Sequence, residues 1–189
     1  MDPEAVLDLF RKSGALLDGH FRLSSGLHSD RYLQSALVLQ YPEFAEALGR
    51  ALAERTRHLQ PTVVLSPALG GIVIGQEVGR ALGVRAVFVE RQDGAMTLRR
   101  GFALAPSDRV LVVEDVLTTG GSTRETAAVA EAIGSHVIGA ATIIDRGADS
   151  AKLGLPLQAL VRLEVPAYPP ESCPLCAKGE AIVKPGSRV

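Results

Sequence analysis

At 189 residues the chain is long enough to bury a core and suits one domain with at most a small appendage. Its 47% hydrophobic and 22% charged residues are ordinary for a globular protein. A formal net charge of -1 excludes the global basic field that nucleic-acid binding draws on. No apolar run approaches the roughly 20 residues of a membrane span, and the acidic, amphipathic start MDPEAVLDLF does not read as a secretory leader. The expected location is cytoplasmic, with neither membrane nor nucleic acid as partner.

Asp2-Pro3 predicts an N-cap and a first helical residue, and Val6, Leu7, Leu9, Phe10 and Leu16 supply the apolar face of the helix. Residues 19–34 carry short alternating pieces, which predict a hairpin or hood with a polar loop at Ser24-Ser25-Gly26. Pro42 opens a second helix, with Phe44, Leu48 and Leu52 at i, i+4, i+8. Strands and helices then alternate. Strands are expected at 62–66, 84–89, 110–113, 137–144 and 157–163, and helices at 70–82 and 123–134. Residues 91–101, RQDGAMTLRRG, predict a polar, mobile loop. Ser122 and Glu125 have the spacing of a capping box. This alternation predicts an α/β fold with a parallel sheet covered on both faces, and the Pro-, Gly- and Ser-containing tail is expected to drape over it.

The chemistry concentrates in residues 109–123, RVLVVEDVLTTGGST. Four aliphatic residues, Val110 to Val113, form a buried strand. Two carboxylates, Glu114 and Asp115, follow at its carboxyl end, where parallel sheets bind ligands. The turn Thr118-Thr119-Gly120-Gly121-Ser122 leads into a helix, so backbone N–H groups and the helix dipole converge on one point suited to a phosphate. Two acids beside an anion cradle would repel the phosphate. A sugar between them, bound through its hydroxyls and a divalent metal, removes that conflict. No lysine follows the glycines, as a Walker P-loop requires, and the glycine order is wrong for a dinucleotide-binding fingerprint.

This stretch resembles the PRPP-binding motif of the type I phosphoribosyltransferases. Other segments resemble the orotate-specific branch of that family: Phe21-Arg22-Leu23-Ser24-Ser25-Gly26 with His28-Ser29, the loop from Ser66 to Ile72, Glu90-Arg91 through Gly101, Asp145-Arg146-Gly147, and the tail from Cys173 to Arg188. The resemblance covers nearly the whole chain. It implies the type I phosphoribosyltransferase fold, a central mostly parallel sheet flanked by helices with a small hood. It further implies a single domain over residues 1–189, with a core at 41–165 and hood and tail at 1–40 and 166–189. The implied activity is Mg²⁺-dependent, reversible transfer of ribose 5-phosphate from PRPP to orotate, in pyrimidine biosynthesis. Glu114 and Asp115 would contact the ribose hydroxyls, and Val116, Leu117, Thr118, Thr119, Gly120, Gly121 and Ser122 complete the PRPP loop. Thr118 and Arg146 would meet orotate. Asp115 and Arg91 are the implied catalytic residues, with Arg91 also on PRPP. A homodimer is implied, its catalytic loop reaching the neighbouring subunit. Where many relatives carry lysine, this chain has Ser24, and Leu69-Gly70 stands for a Tyr-Lys pair. Arg99 and Arg100 are open between contacting pyrophosphate and anchoring the loop. A purine-specific enzyme of the same fold and a non-catalytic PRPP sensor are the other readings.

No side-chain metal site is expected. Cys173-x-x-Cys176 supplies two ligands of the four that zinc takes, so the pair reads as inert unless a dimer shares two such pairs. His20 is expected in surface or hood packing, His28 has no assigned role, and His58 and His136 fall at element ends.

Overall fold

The computed structural model describes residues 1–23, 25–147 and 153–185. Ser24 and Arg188, both named in the sequence reading, lie outside them.

Helix α1, Pro3–Lys12, starts as its sequence dictates. The Asp2 carboxylate accepts from the backbone N–H of Glu4 and Ala5, at 2.9 and 3.2 Å. It ends before Leu16, however. Gly14 adopts φ +70°, turning the chain into strand β1, Leu16–Arg22, so Leu16 enters the core from a strand. Strand β2, His28–Leu33, closes an antiparallel hairpin with β1. A short helix α2, Ser35–Leu39, precedes the long α3, Pro42–Thr56. Then come β3, Val63–Pro67; α4, Gly70–Leu82; β4, Arg85–Gln92; β5, Ala95–Leu98; β6, Arg109–Leu117; α5, Gly121–Ile133; β7, His136–Asp145; and β8, Leu157–Arg162.

The main sheet has six strands in the order β5-β4-β3-β6-β7-β8, parallel except for β5. The apolar run 110–113 is uninterrupted because both faces of β6 are covered. Leu111 and Val113 join Val64, Leu48, Leu52 and Ile74 under α1–α4. Val110 and Val112 join Val63, Leu65, Ala127 and Ala130 under α5. Side chains alternate by two along the strand, so one run feeds two cores.

Two further expectations need correction. Residues 91–101 do not form an open loop. Their first part continues β4 and returns as β5, with Arg91 opposite Met96 and Glu90 opposite Thr97. The capping box at Ser122 and Glu125 is also absent. Gly120, at φ +75°, is the N-cap of α5, no side chain caps the helix, and Glu125 instead pairs with Arg91 at 2.7 Å. The helix starts earlier because glycine takes the left-handed turn, leaving Ser122 inside the first turn. No helix among the described residues is long and apolar enough to cross a membrane.

The tail lies on the hairpin. Val183 bridges Phe21, and Tyr168 bridges His28 through two backbone hydrogen bonds of 2.8 Å.

Candidate active site

The strand order makes β3 and β6 neighbours whose following helices, α4 and α5, cover opposite faces of the sheet. Their carboxyl ends therefore frame a crevice at a topological switch point, where open α/β sheets bind ligands. Pairing between them stops at Leu65 with Val112, although β6 continues to Leu117. Glu114 and Asp115 thus lie within β6 beyond the reach of β3 pairing, while β7 still holds the other edge of the strand.

Strand alternation separates the two acids. Glu114, in phase with Val112, faces α5, where Thr123 Oγ1 donates to its carboxylate. Asp115, in phase with Val113, faces α2 and α4. It accepts from Ser35 Oγ and lies against Gly70. A Cβ at residue 70 would stand 2.7 Å from both Asp115 carboxylate oxygens, so glycine is required for this approach. Asp115, Ser35, Leu69, Gly70 and Gln34 line a cleft of about 320 Å³. Burial pushes the Glu114 carboxyl up to about 7; the Thr123 hydrogen bond opposes this, and the nearby Asp115 charge adds to it.

Past the acids, Thr118 and Thr119 are exposed on the turn, and Gly120 is buried. The first turn of α5 has neither a side-chain cap nor an acidic residue of its own, so among the described residues no side chain caps its first N–H groups at the positive end of the helix dipole. Arg124 holds the turn from below by donating to the Thr119 carbonyl at 3.0 Å.

Thr118 and Thr119 share a second cleft, of about 750 Å³, with Arg146, Arg31, Tyr32 and hairpin residues Leu23, Ser25 and Leu27. Arg146 reaches it from the end of β7, its backbone N–H bonded to the Leu117 carbonyl at 2.8 Å. Its Nε is buried with no partner among the described residues, and burial lowers the guanidinium below its ordinary value. A guanidinium in this state remains charged, with an N–H left to donate.

The structure thus gathers Glu114, Asp115 and Thr118 to Ser122 at one strand end, with Arg146 beside the threonines. It does not bring Arg91 there. Arg91 pairs with Glu125 and donates to the Gly94 carbonyl at 2.8 Å. Arg99 and Arg100 pair with Glu90 at 3.3 and 2.8 Å, the geometry of loop anchors. Sequence reading missed Ser35 and Arg31, which carry no local motif. Gly70 was visible only as part of the loop after β3. The pair Cys173 and Cys176, read as inert, stands against His20 and His28, with all four ligand atoms within 4.8 Å of one another. Both histidines are buried.

A family model described as the phosphoribosyl transferase domain matches residues 35–153. The chain is 52% identical to the orotate phosphoribosyltransferase of Pelotomaculum thermopropionicum, over 100% of this chain and 99% of that protein. It is 53% identical to that of Heliobacterium modesticaldum over the whole of both. Among solved structures, Mycobacterium tuberculosis orotate phosphoribosyltransferase in complex with Fe(III) dicitrate superposes with a TM-score of 0.73 at 27% identity, covering 84% of this chain and 95% of that one. The same enzyme in complex with PRPP gives 0.68 at 25% identity, covering 84% and 94%. With matches of this extent at both the sequence and the fold level, the chain belongs to the orotate phosphoribosyltransferases of the phosphoribosyltransferase family.

Proposed function

We propose that this chain reversibly transfers ribose 5-phosphate from PRPP to N1 of orotate, yielding orotidine 5-phosphate and pyrophosphate in pyrimidine biosynthesis. One observation carries the reading: Thr118 and Thr119, on the turn that leads into the uncapped N-terminus of α5, share a cleft with Arg146, whose Nε has no partner among the described residues. The first suits a 5-phosphate. The second suits an anionic, planar base bearing a carboxylate, which a guanidinium can grip bidentately.

Thr118 to Ser122 hold the phosphate through backbone N–H groups and hydroxyls, with Val116 and Leu117 fixing the approach of the loop. Asp115 and Glu114 accept hydrogen bonds from the ribose hydroxyls. Thr118 and Arg146 orient orotate. Loss of pyrophosphate builds positive charge on the ribose C1, so the enzyme needs positioned charge rather than a covalent nucleophile. The two carboxylates are hard oxygen donors and fit Mg²⁺ held through the ribose hydroxyls. When bound, Mg²⁺ would offset charge on the pyrophosphate.

Arg91 is assigned to pyrophosphate from the β4–β5 hairpin. Its partners, Glu125 and Gly94, lie outside the lining of its own chain's threonine–arginine cleft, which supports a homodimer in which the hairpin serves the neighbouring subunit. PRPP and orotidine 5-phosphate are multiply charged and do not cross bilayers unaided, which supports a cytoplasmic setting.

The test is turnover. Protein, Mg²⁺ and PRPP should consume orotate, read as loss of orotate absorbance, and should leave adenine, guanine and xanthine untouched. Turnover of purines alone would move the activity to another base. PRPP binding without turnover of any base would make the protein a sensor.

A further inference from the structure

The hairpin and the tail meet at four side chains that the proposed reaction does not use. His20 and His28 come from β1 and β2. His20 falls at the register shift of the hairpin and His28 opens β2, and the two imidazoles meet edge to face with ring centroids 4.9 Å apart. Cys173 is the N-cap of the short helix Pro174–Ala177 in the tail, and Cys176 is its third residue. His20, His28 and Cys173 are buried, while Cys176 closes the cluster from the solvent side.

Four of the six spacings between the ligand atoms are close to the edges of a coordination tetrahedron, and all six fall within 4.8 Å. Zn²⁺ bound at about 2.0 Å from nitrogen and about 2.3 Å from sulfur has N···N edges of roughly 3.3 Å and N···S edges of roughly 3.5 Å. Here His20 Nε2 is 3.1 Å from His28 Nδ1, 3.6 Å from Cys173 Sγ and 3.7 Å from Cys176 Sγ. Cys176 Sγ is 3.2 Å from His28 Nδ1. The outer contact of the first imidazole agrees. His20 Nδ1 lies 2.9 Å from the Glu180 carbonyl, which can only accept, so Nδ1 carries the proton and Nε2 turns a lone pair into the cluster.

We propose that His20, His28, Cys173 and Cys176 form a structural Zn²⁺ site that clamps the C-terminal tail onto the N-terminal hairpin. Two thiolates and two imidazoles in a tetrahedron select zinc over magnesium or calcium, and four protein ligands leave no open position for catalysis. The clamp joins segments far apart in sequence. It fixes the hairpin whose residues Leu23, Ser25 and Leu27 line the cleft with Arg146. Its role is to hold the hood in place.

The experiment measures metal, not activity, so it stands apart from the catalytic assignment. Untagged protein, expressed with zinc supplied and freed of loose metal by gel filtration, is analysed by inductively coupled plasma mass spectrometry. About one zinc per chain is expected, with Cys176→Ser and His28→Gln each losing most of it and melting at lower temperature. Should those variants fail to fold, wild-type protein stripped by a chelator is titrated with Co²⁺. A tetrahedral S₂N₂ site gives intense visible d–d bands and a thiolate-to-cobalt charge-transfer band. Folded wild-type protein with no zinc and no such bands would overturn the proposal. So would a Cys173–Cys176 disulfide in that protein.

Discussion

Glu114 and Asp115 are neighbours in sequence, yet the pleat sends them to opposite faces of the sheet, and their environments diverge accordingly. Glu114, half-buried against Thr123, is raised from 4.5 to about 7. A carboxyl raised in the folded state binds more protons there than when unfolded, so its linkage makes stability fall as pH rises between those two values. Glu114→Gln should remove that slope and raise stability above neutral pH by about 1–3 kcal/mol, checked by thermal melts across pH. Ribose hydroxyls must donate to a carboxylate, so PRPP binding should also release a proton near neutrality. Calorimetry in buffers of different ionisation enthalpy reads this directly, and an absence of proton release would remove Glu114 from the ribose contacts. Gly70 offers a sharper probe. An added methyl would collide with the Asp115 carboxylate, the movable end of a side chain, so Gly70→Ala should fold with an unchanged or raised melting temperature. Its kcat/KM for PRPP should nonetheless fall about tenfold, or ~1.4 kcal/mol. The acids were legible in the sequence because two charges after four aliphatic residues are conspicuous. Ser35 was not, since a serine opening a short apolar helix looks like any helix start.

At the level of elements, helix α4 matched its predicted span because glycines, an apolar face and the left-handed Gly83 mark both its ends. Helix α3 packs on it at close range. A Cβ on Gly49 would lie 2.5 Å from Glu77 Cβ and 2.9 Å from its carbonyl carbon, which cannot swing away. Gly49→Ala should therefore destabilise the fold by roughly 1–3 kcal/mol despite the better helix propensity of alanine. Denaturant titration checks this, and a neutral result would mean that the two helices slide apart freely. The β4–β5 hairpin was misread as a loop because its apolar alternation is only two residues long, Met96 and Leu98, amid polar neighbours. It is held by backbone pairing with β4, by Met96 and Leu98 packing on the second core, and by Glu90 and Glu125 gripping three arginines. The capping box was misread because spacing alone cannot tell a cap from a first turn when a glycine precedes it.

Across the whole molecule, order along the chain revealed the sheet but not the closure of the hood. Each tail contact joins residues near 20–30 to residues beyond 165, and no local pattern announces such pairing. The cluster of His20, His28, Cys173 and Cys176 escaped for the same reason. The assignment of Arg91 to a neighbour's site also belongs to this scale. In a two-fold dimer, mixing Arg91→Ala with Asp115→Asn subunits leaves hybrids with one intact site, so random exchange should restore up to about a quarter of wild-type activity. Mixtures no more active than their parents would confine the hairpin to its own chain. The central claim is that one cleft holds PRPP at the end of β6 and orotate against Arg146. Steady-state kinetics of two variants, each titrated with both substrates, test it most directly. Arg146→Ala should raise KM for orotate about 10- to 100-fold and leave KM for PRPP near wild type, while Asp115→Asn should do the reverse and lower kcat. If both variants weaken the two substrates equally, or Arg146→Ala leaves orotate unaffected, the division of the cleft is wrong.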